Sequence, residues 1–283
     1  MHVLVAGCGW LGSAIARRLL FEGRRVTGIR RDPARAAALA ATGIAPLALD
    51  LAAPGAEERL PAVDAVVACQ SATSDTPEAY RAAYLDANRA LLAHARRCGA
   101  RLVYTGSTGV LGQSDGLDVD ESSPPMPLGP TAEVLAEAER AIQAAGAAGL
   151  QACVVRLSGL YGPGRAGIVE RVRSGRLALG AGEQAWMNFC HLDDAVSFVL
   201  AAIARGAPGA VYHGSDAAPA RRREVVRWIA DRIGVEPARA TVAPPGPDRR
   251  VLSERTRAAL GVTLAYPSFR EGLLPLVPEA RRS

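Results

Sequence analysis

Short apolar runs alternate with helix-like stretches through the first half of the chain. The apolar runs show little polar alternation, which is typical of parallel strands covered on both faces. They read "HVLVAG", "RVTGI", "APLALDL", "DAVVAC", "RLVYTG" and "ACVVRL". Helical periodicity covers Ser13–Glu22, Asp32–Ala41, Pro77–Cys98 and Gly129–Ala145. This order predicts an α/β fold built on a doubly wound parallel sheet with right-handed crossovers.

The alternation is interrupted after Arg156, where "LSGLYGPGRAG" is rich in glycine and the sequence stays irregular up to Trp186. It resumes around "HLDDAVSFVLAAI" and "AVYHGSD". We therefore predict a small C-terminal lobe interleaved with the larger domain. The larger domain takes residues 1–163 plus about 188–210, and the lobe takes about 164–187 plus 211–283.

The chain length, the lengths of the apolar segments and the cysteine count narrow the class of protein. The chain has 283 residues and no apolar window near the ~20 residues of a membrane helix, and it starts without a leader-like segment. Its five cysteines are odd in number and lack CxxC spacing, which argues against a disulfide framework and a zinc site. We expect a cytoplasmic protein with reduced thiols, no metal and no membrane contact.

The charge balance is mild, at +5, and every basic residue other than histidine is arginine. The arginine cluster "ARRREVVRW" lies on an apparent amphipathic helix and has no interleaved aromatic residues. A solvated helix face explains it better than a nucleic-acid surface does. We therefore expect no nucleic-acid partner.

The stretch "VAGCGWLG" places Gly7, Gly9 and Gly12 between the first strand and the first helix. Gly7 suits a tight turn, Gly9 a close approach of backbone amides to a pyrophosphate, and Gly12 close packing of the helix on the strand. Trp10 and Leu11 lie inside the same loop. We interpret the loop as a dinucleotide site, the alternative being an ordinary strand-to-helix turn.

The second strand ends in Arg30 and Arg31, where a protein that prefers NAD usually places an acidic residue for the ribose hydroxyls. Guanidinium groups suit a 2′-phosphate, because they bind phosphate with two parallel hydrogen bonds. The sequence therefore favours NADP(H) over NAD. The alternative is that both side chains are solvated and Asp32 takes the acidic role.

Three further residues are predicted to belong to the cofactor cleft. Asp50 follows the third strand, at a place from which it could bond the adenine amino group. Cys69 and Gln70 follow the fourth strand, and we expect both to line the cleft. We see no reason to interpret Cys69 as a nucleophile.

Five separated stretches resemble the short-chain dehydrogenase/reductase superfamily, in particular its extended, epimerase/dehydratase-like branch. They are "GCGWLG", "YTGSTGVLG", "VVRLSGLYGPGR", "NFCHLDDAV" and "YPSFREGL". The glycine spacing differs from the usual GxxGxxG of that branch and is similar to an atypical subgroup. The resemblance covers essentially the whole chain and implies a Rossmann-type domain, a small substrate lobe, a small-molecule substrate and, in many members, a homodimer.

In the superfamily a Ser or Thr after the fifth strand bonds the substrate oxygen, a Tyr transfers its proton, and a Lys four residues later lowers the pKa of that Tyr. The resemblance puts Ser107 at the serine position, facing both substrate and cofactor. The Tyr-xxx-Lys motif should open the helix near "GPTAEVLAE", which has no tyrosine, and the whole chain has no lysine. The usual catalytic pair is therefore absent.

A replacement for the missing acid would matter, since a positioned general acid contributes a factor of roughly 10² to 10⁴. Besides Ser107, we take Tyr161 and Glu133 as catalytic candidates. Glu133 would need a pKa raised by burial beside the nicotinamide. The alternatives are that Glu133 is a solvated residue at a helix start and that Tyr161 is packing under the glycine turn.

These observations favour an NADP(H)-dependent oxidoreductase of the atypical extended type, acting on a small carbonyl or imine substrate oriented by Ser107. A protonated imine would bring its own proton. Two alternatives stay open at this point. One is a catalytically inactive protein that senses NADP(H), and the other is an enzyme like the sugar-nucleotide epimerases and dehydratases.

Overall fold

The structure, a computed structural model, describes residues 1–243 and 246–277. Its strands are β1 (His2–Ala6), β2 (Arg25–Arg30), β3 (Ala45–Ala48), β4 (Ala65–Ala68), β5 (Arg101–Ser107), β6 (Asp118–Val119), β7 (Ala152–Leu157), β8 (Gly159–Tyr161), β9 (Leu179–Gly180), β10 (Trp186–Met187), β11 (Phe189–His191), β12 (Val211–Gly214), β13 (Ala220–Arg221), β14 (Arg239–Ala240) and β15 (Arg250–Val251). Its helices are α1 (Trp10–Phe21), α2 (Pro33–Ala37), α3 (Pro77–Tyr80), α4 (Ala87–Cys98), α5 (Pro130–Ala147), α6 (Gly167–Arg173), α7 (Leu192–Arg205), α8 (Arg222–Ile233), α9 (Glu254–Leu260) and α10 (Phe269–Leu273).

Seven parallel strands form the central sheet in the order β12-β7-β5-β4-β1-β2-β3. The chain winds from β1 outward through β2 to β3, then returns to β4 on the other side of β1. This topology confirms the predicted α/β, Rossmann-type doubly wound sheet. The winding reverses between β1 and β4, and ligands of such sheets bind outside the carboxyl ends of the strands at that point.

Helices cover both faces of the sheet, which is why its strands lack polar alternation. Val3 and Val5 of β1 belong to the core beneath α1 and α7, whereas Leu4 and Ala6 belong to the core beneath α4 and α5. Successive side chains of a strand leave on opposite faces, so both faces of this strand must be apolar. The continuous apolar run "HVLVAG" results from the burial of both faces of β1.

A third core lies in the lobe, between α6, α8 and α10, and is built around Val169, Val225 and Phe269. The predicted boundary at residue 211 is wrong for β12, because this strand pairs with β7 and completes the central sheet. Leu260 at the end of α9 also packs into the core beneath α1 and α7. The sequence pattern did not separate β12 and α9 from the lobe, because all elements after the glycine-rich loop are short strands and helices. Part of the predicted lobe, at 244–245 and 278–283, lies outside the described residues.

The predicted helix over Pro77–Cys98 is not uniform. Between α3 and α4 the segment Arg81–Asp86 is a π-helix, whose wider turn is often found at functional sites. This segment packs against α5. Among the described helices, none has both the length and the apolar character that crossing a membrane requires.

Candidate functional site

A cleft of about 790 Å³ opens at the carboxyl ends of the central strands. Residues that follow β1, β2, β3, β4 and β5 all contribute to its wall, so it spans the point where the winding reverses. Its volume lies within the range of about 300–1,000 Å³ that small-molecule and cofactor sites have. The fold therefore places the cleft where a dinucleotide would be expected.

The glycine loop forms the central edge of this cleft. Gly7 has a φ of +82°, and a Cβ there would lie 2.3 Å from the Cα of Gln70. Both the backbone conformation and the lack of space therefore exclude a side chain. A Cβ on Gly12 would lie 2.4 Å from the Gly7 carbonyl oxygen, which confirms the predicted close packing of α1 on β1. Gly9 precedes α1 without any side-chain cap. The first N–H groups of α1 are thus available to an anion, which fits a pyrophosphate.

Trp10 and Leu11, the first two residues of α1, both line the cleft. The indole N–H of Trp10 donates to the Pro163 carbonyl oxygen at 2.9 Å, which ties the glycine loop to the turn that follows β8. Arg165 of that turn also lines the cleft, with its guanidinium 5.3 Å from the centre of the Trp10 ring. A cation is therefore held beside the loop that would bind the pyrophosphate.

Arginines surround the far end of the cleft, where the adenosine ribose would lie. Arg30 and Arg31 line it as predicted, and Arg35, which the sequence analysis missed, joins them from α2. Asp32 lines the cleft as well, and its Oδ1 accepts the backbone N–H of Arg35 at 2.7 Å and caps α2. The Nε of Arg30 is buried and has no hydrogen-bond partner among the described residues. Three arginines therefore line this end of the cleft.

Asp50, Cys69 and Gln70 line the cleft as expected. Asp50 Oδ1 accepts the Ala52 backbone N–H at 3.0 Å. The Cys69 thiol donates to the Ala6 carbonyl oxygen at 3.2 Å, and burial raises the pKa of this thiol strongly, so it packs rather than reacts. Gln70 donates to Asn88 Oδ1 at 2.8 Å. These three side chains therefore hold the shape of the cleft as well as lining it.

Ser107 ends β5 and lines the cleft together with Thr108. Its Oγ accepts the backbone N–H of Gly109 at 3.0 Å, which fixes the oxygen and leaves the hydroxyl proton available. A hydroxyl has one donor and two acceptor sites, so Ser107 can still donate to a substrate oxygen or nitrogen. The site therefore offers one preset hydrogen-bond donor at the end of β5.

Tyr161 does not reach the cleft, contrary to its role as a catalytic candidate. The preceding residue, Leu160, lines the cleft, and Tyr161 leaves β8 on the opposite face because side chains alternate along a strand. It is 3% exposed and packs in the core of the lobe, with its ring 5.9 Å from that of Phe189. Burial is also the main cause that raises the pKa of Tyr161. Tyr161 is a packing residue.

Glu133 also lies outside the cleft, so the expected burial beside a nicotinamide is wrong. It is exposed in the first turn of α5, where a carboxylate offsets the helix dipole. Leu135, two positions later, is the residue of α5 that lines the cleft. Residues two apart on a helix are rotated by about 200° about its axis and so point to nearly opposite sides. This explains why Leu135 faces the cleft and Glu133 faces solvent.

Two cleft residues, Tyr80 and Tyr84, were missed. Tyr80 directly precedes the π-helical segment and Tyr84 lies within it. Their ring centres are 5.2 Å apart, and both line the cleft. The Tyr84 hydroxyl accepts the Ala72 backbone N–H at 3.4 Å, and burial raises the pKa of Tyr84. Their spacing of four in an alanine-rich helix was the available signal, since such residues share a helix face.

Beneath the cleft lies a buried ion pair. Arg156 on β7 donates through Nε and Nη2 to Glu139 Oε2 on α5, each at 2.9 Å, and both side chains are 2% exposed. A Cβ on cleft-lining Gly106 would lie 2.8 Å from Glu139 Oε1, so the pair supports the floor directly. His213 lies beyond Arg156, with Nε2 3.5 Å from Nη1, and burial lowers its pKa to about 4. The floor of the cleft therefore rests on charged side chains that are paired with each other and buried from solvent.

The doubly wound sheet and the glycine loop at its switch point define a dinucleotide-binding protein of the Rossmann class. Within that class, the chain belongs to the NAD dependent epimerase/dehydratase family, whose model matches residues 3–213. Members of this family bind NAD(P). The resemblance drawn from the five sequence stretches is confirmed.

The chain is similar to three proteins that indicate its relatives' chemistry and fold. It is 31% identical to a 3-diazoavenalumate denitrifying reductase from Streptomyces sp, with 96% of this chain and 99% of the relative covered. It is 30% identical to a 2-alkyl-3-oxoalkanoate reductase from Stenotrophomonas maltophilia, over 83% of this chain and 76% of the relative. A structure of dTDP-glucose 4,6-dehydratase from Bacillus anthracis in complex with NAD shares the fold, with a TM-score of 0.82, 19% identity and coverage of 98% and 95%. Together these similarities support the general class of NAD(P)-dependent oxidoreductases.

Proposed function

We propose that the chain is an NADP(H)-dependent reductase that acts on a small electrophilic substrate without a Tyr–Lys pair. The observation that carries this proposal is the contrast between two cleft walls. At β5, Ser107 presents a hydroxyl with a free proton, whereas α5 presents Leu135 and no proton donor. Such a site can orient a substrate through Ser107 but has no Tyr–Lys pair, so it suits a substrate whose reduction needs little proton transfer.

The preference for NADP(H) rests on the ribose end of the cleft. Arg30, Arg31 and Arg35 line it, and Asp32, which lines it too, has one carboxylate oxygen engaged in capping α2. The N-terminus of α1 and Arg165 would hold the pyrophosphate, with Asp50 beside the adenine. Bound NADPH would supply the hydride.

The relatives' names suit a substrate that needs little proton transfer. One relative is named as a denitrifying reductase of a diazo compound and another as a reductase of a 3-oxoalkanoate. An aryl diazonium ion that accepts hydride releases N₂ and takes no proton, and a protonated imine carries its own. For a ketone, the proton would come from solvent or through the Ser107 hydroxyl. Both names denote carboxylate anions.

The test is a titration of the purified protein with NADPH and NADH, followed by a panel of cyclic imines, ketones, aldehydes and an aryl diazonium salt. Loss of reduced-nicotinamide absorbance is compared between wild type, Ser107→Ala and Glu133→Ala, the last being a control in the exposed face of α5. Oxidation by wild type and Glu133→Ala but not by Ser107→Ala supports the proposal. Tight NADPH binding with no oxidation of any panel member would contradict it and favour a sensor.

A further inference from the structure

The two halves of the cleft differ in charge. Apart from Arg165 beside Trp10, the charged side chains that line the cleft follow β2 or β3. They are Arg30, Arg31, Asp32, Arg35 and Asp50. Among the described residues, those that follow β4, end β5 or belong to α5 and line the cleft are uncharged. The half of the cleft that contains Ser107 therefore has a neutral wall.

This neutral half carries two aromatic side chains, Tyr80 and Tyr84, which we call the aromatic corner. Their ring centres are 5.2 Å apart and the ring planes make an angle of 56°, so the rings form an open angle and not a parallel stack. Both side chains are half-buried, and both line the cleft. A ligand that enters the cleft therefore has direct access to both rings.

Small and apolar side chains surround the aromatic corner. The other cleft-lining residues of the same segment are alanines, at positions 79, 82, 83 and 87. A methyl group takes up little space, so the two rings are the largest side chains on this part of the wall. Leu135 lines the cleft from α5, which packs against α3 and against the π-helical segment. The surroundings of the corner thus suit an apolar group.

The aromatic corner belongs to the same part of the cleft as Ser107. Tyr84 packs against the core that includes Tyr104 of β5, the strand that ends in Ser107. The Tyr84 hydroxyl accepts the N–H of Ala72, which follows the adjacent strand β4. The arginines of the ribose end follow β2, three strands away from β5, or ~14 Å at the usual strand spacing. The corner is therefore separate from the proposed 2′-phosphate site.

An aromatic ligand gains more from this corner than an aliphatic one. Aromatic rings prefer tilted or offset contacts with their centres about 4.5–7 Å apart, and one such contact strengthens binding by roughly 2- to 13-fold beyond the burial of apolar area. A ring in the open angle between Tyr80 and Tyr84 can make such a contact with each of them. A saturated ring of the same size gains only the burial.

We propose that Tyr80 and Tyr84 bind an aromatic ring of the substrate, so that this reductase acts on aryl compounds whose reducible group is held at Ser107. The inference rests on the proposed function for the reducible group and assigns the residues that recognise the rest of the substrate. Tyr80 and Tyr84 then determine substrate specificity, and Ser107 positions the group that is reduced.

The test measures binding without turnover, in the complex with NADP⁺. Benzylacetone and its cyclohexyl analogue, two ketones that differ only in the saturation of the ring, are titrated by ligand-observed NMR. We expect wild type to bind benzylacetone about 5-fold or more tighter than the analogue. Tyr80→Leu and Tyr84→Leu should each reduce this preference to about twofold or less. Tyr84→Phe keeps the ring and should keep the preference, as should Phe21→Leu, which removes an exposed aromatic residue outside the cleft.

Two further measurements keep the test decisive. Tyr84 also packs on the core, so Tyr80→Leu decides the outcome if Tyr84→Leu does not fold. Equal binding of the two ketones by wild type, or a Tyr80→Leu variant that keeps the preference, would overturn the proposal. Tyr80→Leu should bind NADP⁺ as wild type does. A parallel loss of NADP⁺ affinity would assign the rings to the cofactor and would also overturn the proposal.

Aryl binding and reductase activity are measured separately. A protein that prefers the aryl ketone through Tyr80 yet oxidises no NADPH would contradict only the proposed reductase activity. A reductase without any preference for the aryl ketone would contradict only this inference.

Discussion

Replacing Arg30 and Arg31 together with alanine should convert the cofactor preference. Arg30 is half-buried with its Nε enclosed, whereas Arg31 is exposed, so most of the effect should come from Arg30. A hydrogen bond to a charged group contributes about 1.5–3 kcal/mol, and exposed charges add little because of screening. Loss of about 3 kcal/mol corresponds to roughly 150-fold weaker NADPH binding.

The assay is a fluorescence titration with NADPH and with NADH. NADH lacks the 2′-phosphate, so its Kd should change by no more than about threefold, the size of a surface-charge effect of ~0.6 kcal/mol. Arg24→Ala is the matched control, because Arg24 is an exposed arginine just before β2 and outside the cleft. Equal weakening of both cofactors, or equal weakening in Arg24→Ala, would refute the assignment of these arginines to the 2′-phosphate.

Four other outcomes follow from the site. Ser107→Ala should abolish turnover while the Kd for NADPH stays unchanged, so a fully active variant removes Ser107 from the mechanism. Tyr161→Phe should keep full turnover and an unchanged or higher melting temperature, because the hydroxyl has no hydrogen-bond partner among the described residues; a large loss of kcat would restore it as a candidate. Arg165→Ala should weaken NADPH and NADH equally, unlike the Arg30/Arg31 variant, and a loss confined to NADPH would contradict a place beside the pyrophosphate. Burial lowers the pKa of His213 from 6.5 to about 4, so His213 is neutral in the folded protein at pH 6.5. As the pH falls, the unfolded chain binds a proton at this residue before the folded protein does. The free energy of unfolding should therefore fall by up to about 3 kcal/mol between pH 6.5 and 4. Chemical denaturation of wild type and His213→Asn across that range checks it, and parallel pH profiles would speak against it.

The sequence predicted the sheet and the cofactor loop because both depend on local patterns. Continuous apolar runs identify doubly buried strands, and the geometry of Gly7 and Gly12 follows from their spacing. The catalytic candidates failed where the outcome depended on direction within an element. Which of Leu160 and Tyr161 faces the cleft is fixed by the pairing of β8 with β11, a contact between distant segments.

Long-range contacts also explain which structural features could not be predicted from the sequence. Arg249 donates to the Thr108 carbonyl oxygen across 141 positions of the chain, and nothing near either residue indicates that they meet. β12 gave a strand signal but no partner, so its place beside β7 could not be read from the chain. The π-helical segment Arg81–Asp86, which contains Tyr84, likewise leaves the helical periodicity almost intact.

The parallel pairing of β8 and β11 makes the segment between them resemble an exchangeable cassette. Gly159 pairs with Phe189 and Tyr161 with His191, so residues 162–188 leave at the carboxyl end of β8 and return at the amino end of β11, about four residues or ~13 Å back along the strands. A transplant from a relative would have to span that distance, and the central sheet would stay undisturbed because neither strand belongs to it. It would need to preserve the apolar residues that face the lobe core, Val169, Val172, Leu177 and Leu179. It would also need to keep Pro163 and Arg165, because both contact Trp10 of the cofactor loop, so only the rest of the segment could be exchanged as a unit.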